Sequence, residues 1–254
     1  MVSAPNANAG LIVKAPPYIG LQEGLVGYWS FDGPDVLNQT DGGQIAVDRS
    51  GNNNNGTLTN NPVRKAGKIG QALSFDGSDD YVLMTSGGYG NLGALTISAW
   101  IYPKTQGQSS YGSFVASAGA CHGGGISEGW GFGLDGANGA RREICFEVDY
   151  SGANDLLVVS AQNTATLNEW QHVVLTWDGS STASNVKIFR NGIEISYVTQ
   201  TNGSGSRVND SGNDSMIGNT TATDGAFDGL IDEVRVYNKI LITDEIKRLY
   251  NMGR

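Results

Sequence analysis

One aspartate, Asp232, stands out on a strand near the end of the chain. Read as a strand with a two-residue period, residues 230–237 place Asp232 on the same face as Leu230, Val234 and Val236. Burying an ionised carboxylate among valines is costly unless it is hydrogen-bonded, paired with a cationic side chain or bound to a metal ion. The sequence therefore predicts a dedicated partner for Asp232.

Further oxygen donors occur at two earlier places in the chain. Asp32 ends an aromatic strand that begins at Gly24, and an Asn- and Gly-rich loop follows at residues 48–58. This loop is not an EF-hand, because Asn53 stands where the sharp turn needs glycine and Thr59 where the bidentate glutamate belongs. The donors nevertheless suit a hard cation.

A group of acids lies on a third predicted strand, over residues 142–150. Glu143, Glu147 and Asp149 alternate onto the face of Cys145. Such alternation is typical of a strand with one solvated face. The other interpretation is a carboxyl pair that flanks a glycosidic bond.

Composition limits the class of protein. The 254 residues include 37 glycines and carry a net charge of −9, with a pI near 4.6. Many glycines between short apolar runs indicate strands joined by tight turns. The absence of a basic stripe argues against nucleic acid, and no apolar run reaches the length of a membrane span. Excess acid is compatible with divalent cations and with neutral ligands such as sugars.

The elements that must position these residues are strands with one helix after them. Residues 1–22 are interpreted as a leader or linker and 23–254 as one domain, predicted to be an all-β sandwich. The helix is predicted near the end, with Thr243 as N-cap. No signal peptide is visible, which we interpret as a trimmed signal or an excised module. Spacing alone leaves Cys121 and Cys145 equally compatible with a disulfide and with two thiols.

Four stretches together are similar to the laminin-G-like branch of the concanavalin A-like lectin/glucanase superfamily. They comprise residues 24–32, 48–58, 70–82 and 229–238. The resemblance implies a jelly-roll β-sandwich of two antiparallel sheets, often with a structural calcium ion and commonly with a role in binding carbohydrate or matrix. It also implies a secreted or cell-surface protein, often a bacterial one.

The resemblance places the first and last strands side by side, so that Asp32 lies near Asp232. Two adjacent carboxylates raise each other's pKa unless a cation lies between them. We therefore expect Ca²⁺ at Asp32 and Asp232, with Asn54 and Asp48 as further ligands. The alternative is that Asp32 caps a turn and Asp232 bonds loop amides or an arginine.

A sugar ligand is expected where aromatic and polar groups are exposed together. The candidate ligand-contacting group is Trp130 with Tyr111, His122 and Glu128, in the part of the chain least similar to the family. The competing interpretation, slightly the better one, is that residues 130–134 alternate as an ordinary core strand.

The function predicted from the sequence is a non-catalytic, calcium-stabilised module that binds carbohydrate or glycoconjugates on an extracellular or surface protein. The first alternative is a glycoside hydrolase or lyase that uses Glu143, Glu147 and Asp149. Glu147 and Asp149 match the first half of the glucanase motifs Glu-x-Asp-x-Glu and Glu-x-Asp-x-x-Glu, but Ser151 and Gly152 occupy the positions of the last acid. The second alternative is an adhesive module that binds protein.

Overall fold

The chain forms two antiparallel β-sheets and one helix. The computed structural model describes residues 20–40, 42–84, 89, 92–108, 111–117, 119, 121, 129–136 and 141–254. The strands of the first half are β1 (Leu25–Trp29), β2 (Val36–Asn38), β3 (Gln44–Ala46), β4 (Gly56–Thr59), β5 (Val63–Ala66), β6 (Gln71–Asp76), β7 (Tyr81–Met84), β8 (Leu95–Pro103) and β9 (Tyr111–Ser117). The later elements are β10 (Trp130–Asp135), β11 (Glu143–Val148), β12 (Leu156–Ser160), β13 (Gln171–Trp177), β14 (Lys187–Arg190), β15 (Ile193–Glu194), β16 (Tyr197–Thr201), β17 (Ser215–Ile217), β18 (Asp228–Tyr237) and helix α1 (Thr243–Met252).

The two sheets pack face to face as a jelly-roll sandwich. The first sheet has the order β15-β14-β13-β8-β18-β6-β5, with β1 also paired to β18. The second has the order β16-β12-β11-β10-β9-β17-β7-β4-β3-β2. The inner faces of both sheets meet in one apolar core, in which Phe114 contacts Phe132 and Phe227 edge to face, with centroids 5.3 and 5.6 Å apart. The predicted fold class is confirmed.

A β-bulge changes the alternation of β18. The pairing of β18 with β8 shifts between Asp232 and Arg235, and Glu233 adopts a left-handed backbone with a φ of 56°. As a result Ile231, Val234 and Val236 all face the core, while Asp232 lies with Arg235 on the outer face of the first sheet. The prediction that Asp232 shares a face with Val234 and Val236 is therefore wrong, because an inserted residue reverses the two-residue period.

The bulge also marks a change of partner along one edge of β18. On one edge, β8 accompanies β18 along most of its length. On the other edge, β6 pairs with residues 228–231 and β1 pairs with residues 234–237. Strands β6 and β1 therefore lie end to end, and the junction between them falls beside Asp232.

Helix α1 packs on the same outer face. Ile246 and Leu249 are buried against it, and Tyr250 stacks on Trp100 with ring centroids 5.7 Å apart. The N-cap is Ile242 rather than the predicted Thr243, because Glu245 Oε2 reaches back to accept a 2.8 Å hydrogen bond from the Ile242 amide. No helix in the described part of the chain is long and apolar enough to cross a membrane.

Candidate functional site

Two carboxylates hold the turn that closes the junction between β1 and β6. The Asp232 Oδ2 atom accepts hydrogen bonds from the amides of Lys68 and Ile69, at 2.8 and 2.9 Å. The Asp32 Oδ1 atom accepts one from the Gln71 amide at 2.8 Å. We call Asp32, Asp232 and residues 67–71 the junction site. The carboxylates replace the strand partner that the backbone lacks there.

Glycines let the turn lie directly against both acids. A Cβ atom at Gly67 would stand 2.6 Å from Asp232 Oδ2 and 2.7 Å from the backbone of Gln71. Gly70 has a φ of 59°, and a Cβ there would overlap Asp32 Oδ1. Any side chain at either position would push a carboxylate away from the amides that it caps.

The junction site contains a buried carboxylate oxygen that lacks a hydrogen-bond partner among the described residues. Asp232 is 0% exposed, and its Oδ1 atom has no hydrogen-bond partner among the described residues. Burial, together with the nearby charges of Glu233 and Asp32, raises the pKa of this carboxyl to about 8, although the hydrogen bonds from the Ile69 and Lys68 amides lower it. A cation beside this oxygen would satisfy it, so the donor chemistry fits Ca²⁺.

Asp48 and Asn54 belong to a different network, which folds the loop after β3. The carboxylate of Asp48 accepts hydrogen bonds from the amides of Tyr28, Ser50 and Asn54 at 2.8–2.9 Å. The side-chain amide of Asn54 donates to the Val26 carbonyl at 2.7 Å. These contacts tie the loop to β1 without a metal ion.

One group of three acidic residues in the described structure is compact enough to hold a metal ion. Among the described residues, only Asp76, Asp79 and Asp80 have ligand atoms that all lie within 4.8 Å of one another. The structure therefore brings Asp32 and Asp232 to one turn, but it does not add Asp48 to them as a third carboxylate.

The acids of β11 are buried rather than solvated. Glu143, Glu147 and Asp149 are 3%, 2% and 7% exposed, so the prediction of a solvated face is wrong. Glu143 lies opposite Asp135 on β10, and burial, followed by the charge of Asp135, raises the pKa of its carboxyl. The sequence missed Asp135 because only the pairing of β10 with β11 brings it here.

The hydrolase alternative requires carboxyl groups that can reach a substrate. Glu147 and Asp149, which match the first half of the glucanase motif, are almost fully buried.

The predicted sugar-contacting group does not form an exposed platform. Trp130 is fully buried, and its Nε1 atom donates to the Tyr89 carbonyl at 3.3 Å, as expected for the competing core-strand interpretation. Tyr111 is half-buried at the start of β9, opposite Asp135. His122 and Glu128 lie outside the described residues.

Two other surfaces carry groups that suit a sugar. Tyr102 and Trp170 form a half-buried aromatic pair with ring centroids 5.7 Å apart. Two adjoining clefts of about 330 and about 290 Å³ share Gln44 and Asn61. Sequence reasoning missed both surfaces, because amides in turns are common and only the fold brings Tyr102 next to Trp170.

A charged cluster fastens β1 to β18 next to the junction site. Arg235 Nη2 lies 2.6 Å from Glu233 Oε2, and the Tyr28 hydroxyl donates to Glu233 Oε1 at 3.0 Å. The guanidinium of Arg235 also lies over the Tyr28 ring, 3.9 Å from its centroid. Glu233 and Arg235 are only 3% and 6% exposed, so each depends on the other for compensation of its charge.

Cys121 and Cys145 form a disulfide, which settles the choice that spacing left open. The bond closes a loop with a sequence separation of 24 residues, and Cys145 packs against Val159. We expect Cys121→Ala with Cys145→Ala to lower the free energy of unfolding by about 3 kcal/mol, because the unfolded chain regains the entropy of that loop. Denaturant unfolding with and without reductant checks this, since the double variant should not respond to reductant. Equal stability of the two proteins under oxidising conditions would contradict the prediction.

Comparison with solved structures shows the same fold over most of the chain. Domain 4 of AbnA, an extracellular arabinanase of Geobacillus stearothermophilus solved in complex with arabinotriose, is 20% identical with a TM-score of 0.57. That match covers 89% of this chain and 98% of the arabinanase domain. The binding domain of Paraclostridial Mosquitocidal Protein 1 is 14% identical with a TM-score of 0.62, covering 91% of this chain and 53% of that one. The sialidase of Trypanosoma rangeli is 17% identical with a TM-score of 0.56, covering 89% and 32%.

Sequence comparison identifies the family directly. No curated protein sequence matches the chain. A laminin-G-type family model, described as the concanavalin A-like lectin/glucanases superfamily, matches residues 76–247. This match spans β7 to β18, the strand that carries Asp232, and the first half of helix α1. The chain therefore belongs to the concanavalin A-like lectin/glucanase superfamily, in its laminin-G-like branch.

Proposed function

We propose that the chain is a non-catalytic carbohydrate-binding module of an extracellular or surface protein. The observation that carries the proposal is its correspondence with the arabinanase domain that was solved with arabinotriose, which covers 98% of that domain. The two molecules therefore share one fold over nearly the whole of that domain. The toxin binding domain, of which the chain spans about half, agrees with a role in attachment.

The buried acids favour binding over hydrolysis. The motif that contains Glu147 and Asp149 lacks its last acid, because Ser151 and Gly152 occupy the positions where that acid would stand. Both Glu147 and Asp149 are also covered in the fold, at 2% and 7% exposure. The surrounding residues would have to move before either carboxyl group could protonate a glycosidic oxygen.

Affinity electrophoresis with release of reducing sugar tests this function. We expect the protein to be retarded in native gels that contain arabinan or another soluble polysaccharide, without release of reducing ends. Release that is abolished by Glu147→Gln or Asp149→Asn would instead establish the hydrolase alternative. A protein that no polysaccharide retards, but that binds a protein partner, would establish the adhesive alternative.

We further propose that the module is stabilised by Ca²⁺ held by Asp32 and Asp232. The support is the buried Oδ1 atom of Asp232, which has no hydrogen-bond partner among the described residues, in an acid beside a second carboxylate. Backbone carbonyls are the remaining ligands that Ca²⁺ commonly accepts. The ion would supply charge compensation and no chemistry.

Metal removal checks the calcium site. Adding CaCl₂ to protein stripped with EDTA should raise the free energy of unfolding by about 3 kcal/mol at a hundredfold excess over Kd, since the ion binds only the folded state. Asp232→Asn should abolish this gain, because it removes the charge that holds the ion.

Asp79→Asn is the matched control, because Asp79 belongs to the exposed acidic group with Asp76 and Asp80. This variant should retain the gain. If Asp79→Asn abolished the gain and Asp232→Asn preserved it, the ion would lie in the acidic group, and the junction site would be rejected. No response to EDTA, with no calcium in elemental analysis, would end the calcium proposal.

A further inference from the structure

The adjoining clefts lie on one side of the sandwich, between an edge strand of each sheet. Strand β2 ends the order of the second sheet and β5 ends that of the first. We call the two clefts the amide cleft; it is lined chiefly by Asn38, Gln44, Leu58, Asn61, Val63 and Arg64. Its volumes, about 330 and about 290 Å³, match the lower range of small-molecule sites.

Side-chain amides in this cleft have donors and acceptors to spare. Gln44 Nε2 donates to Asn38 Oδ1 at 2.8 Å, which leaves Gln44 Oε1 and Asn38 Nδ2 without a protein partner in the described structure. The side-chain amide of Asn61 makes no hydrogen bond to any described residue. An amide offers an acceptor and two donors, and a sugar hydroxyl both donates and accepts, so the two groups are complementary.

The turn between β4 and β5 holds Asn61 in a fixed place. Asn60 and Asn61 both adopt left-handed backbones, with φ values of 60° and 79°. The side chain of Asn60 anchors the turn by donating to the Asp79 carbonyl at 2.9 Å. Gln44 is held opposite Leu58 by the pairing of β3 with β4. The backbone that carries these amides is therefore already positioned before a ligand binds, which lowers the entropic cost of binding.

The charge of the amide cleft differs from that of the chain. The described lining residues include no acid and one cation, Arg64, although the chain carries a net charge of −9. This lining does not suit a metal ion or an amine. Leu58 and Val63 add the apolar contacts that the C–H faces of a sugar ring require.

We propose that the amide cleft binds a neutral oligosaccharide, with Asn61 and Gln44 as the hydrogen-bonding residues. This inference rests on the proposed carbohydrate-binding function and states where on the fold the ligand binds. Two adjoining clefts that share these residues accommodate more than one sugar ring. The aromatic pair Tyr102 and Trp170 is the rival location, on β8 and next to the start of β13.

Matched variants test the location. Asn61→Gly removes the lining amide without strain, because glycine accepts the left-handed backbone. Asn53→Gly is the matched control, because Asn53 also has a left-handed backbone, with a φ of 61°, and lies outside the cleft. The probes are arabinan, xylan, mixed-linkage glucan and polygalacturonate in affinity gels, with arabinotriose in calorimetry. We expect Asn61→Gly and Gln44→Leu each to weaken retardation about tenfold, and Asn53→Gly and Trp170→Ala to leave it unchanged.

Thermal unfolding must first confirm that the variants fold, and three other results would then contradict the inference. Retardation that is lost with Trp170→Ala and kept with Asn61→Gly would move the site to the aromatic pair and overturn the inference. Retardation by polygalacturonate alone would show that the ligand is acidic and would contradict the proposal of a neutral oligosaccharide. If no probe retards the wild-type protein, both the proposed carbohydrate-binding function and the proposed site at the amide cleft are rejected.

Discussion

Replacing Asp232 with alanine is expected to lower the free energy of unfolding by about 4 kcal/mol. The carboxyl group caps two amides of the 67–70 turn, and each buried amide left without its acceptor costs about 2 kcal/mol. Chemical denaturation of the wild type and the variant measures the difference. Carbohydrate retardation of the folded variant should stay unchanged, because the amide cleft does not include this strand. A neutral substitution would contradict the role assigned to the junction site.

The pH dependence of stability gives a second test of the same residue, in protein stripped of divalent cations. Burial raises the pKa of Asp232 from 3.8 to about 8, so between these values the folded protein holds a proton that the unfolded chain has released. The contribution of Asp232 is therefore largest at low pH and falls as the pH rises towards about 8. Asp232→Asn should reduce this fall. A steeper fall in the variant would reverse the sign and reject the argument.

Replacing Arg235 with methionine is expected to cost about 4 kcal/mol of unfolding free energy. The substitution preserves much of the side-chain volume but leaves the Glu233 carboxylate, 3% exposed, with only the Tyr28 hydroxyl as a partner. The same loss removes the cation from the face of the Tyr28 ring. Urea unfolding measures the change, and the midpoint should fall without a change in slope.

A double-mutant cycle separates the loss of an ion pair from a loss of packing. Glu233→Gln keeps the shape and the left-handed position of residue 233, but it removes the charge. The double variant Glu233→Gln with Arg235→Met should regain about 2 kcal/mol relative to Arg235→Met alone, because no uncompensated charge is left buried. Strictly additive losses would show that Arg235 acts through packing, and they would contradict the electrostatic explanation.

Features that depend on local sequence patterns could be predicted, whereas features that depend on long-range strand pairing could not be predicted from those patterns. Alternation and turn residues were sufficient for a sandwich of short strands with a final helix, because those signals are local. The proximity of Asp32 and Asp232 came from the family resemblance. The side of the sheet on which Asp232 lies was predicted wrongly, because the bulge at Glu233 depends on where β6 ends and β1 begins along β18.

The burial of individual residues was the least predictable property. Glu143 and Glu147 alternate as solvated acids would, yet both are covered in the fold. Trp130 was a candidate ligand contact, with the core-strand interpretation slightly preferred, and it fills the core between β9 and β11. The amide cleft combines residues of β2, β3 and the turn after β4, so its shape exists only after the sheets have assembled.

The end-to-end placement of β1 and β6 along β18 has a consequence for synthesis on the ribosome. Trp29 pairs with Val234, so β1 emerges long before the strand that completes its ladder. Until β18 has been made, β1 and β6 lack a shared neighbour, and their edges are open to other chains. The sandwich therefore closes late, with β18 as the last strand added to its first sheet. Truncation before Asp232 should give a nascent chain that depends on chaperones rather than a smaller folded domain.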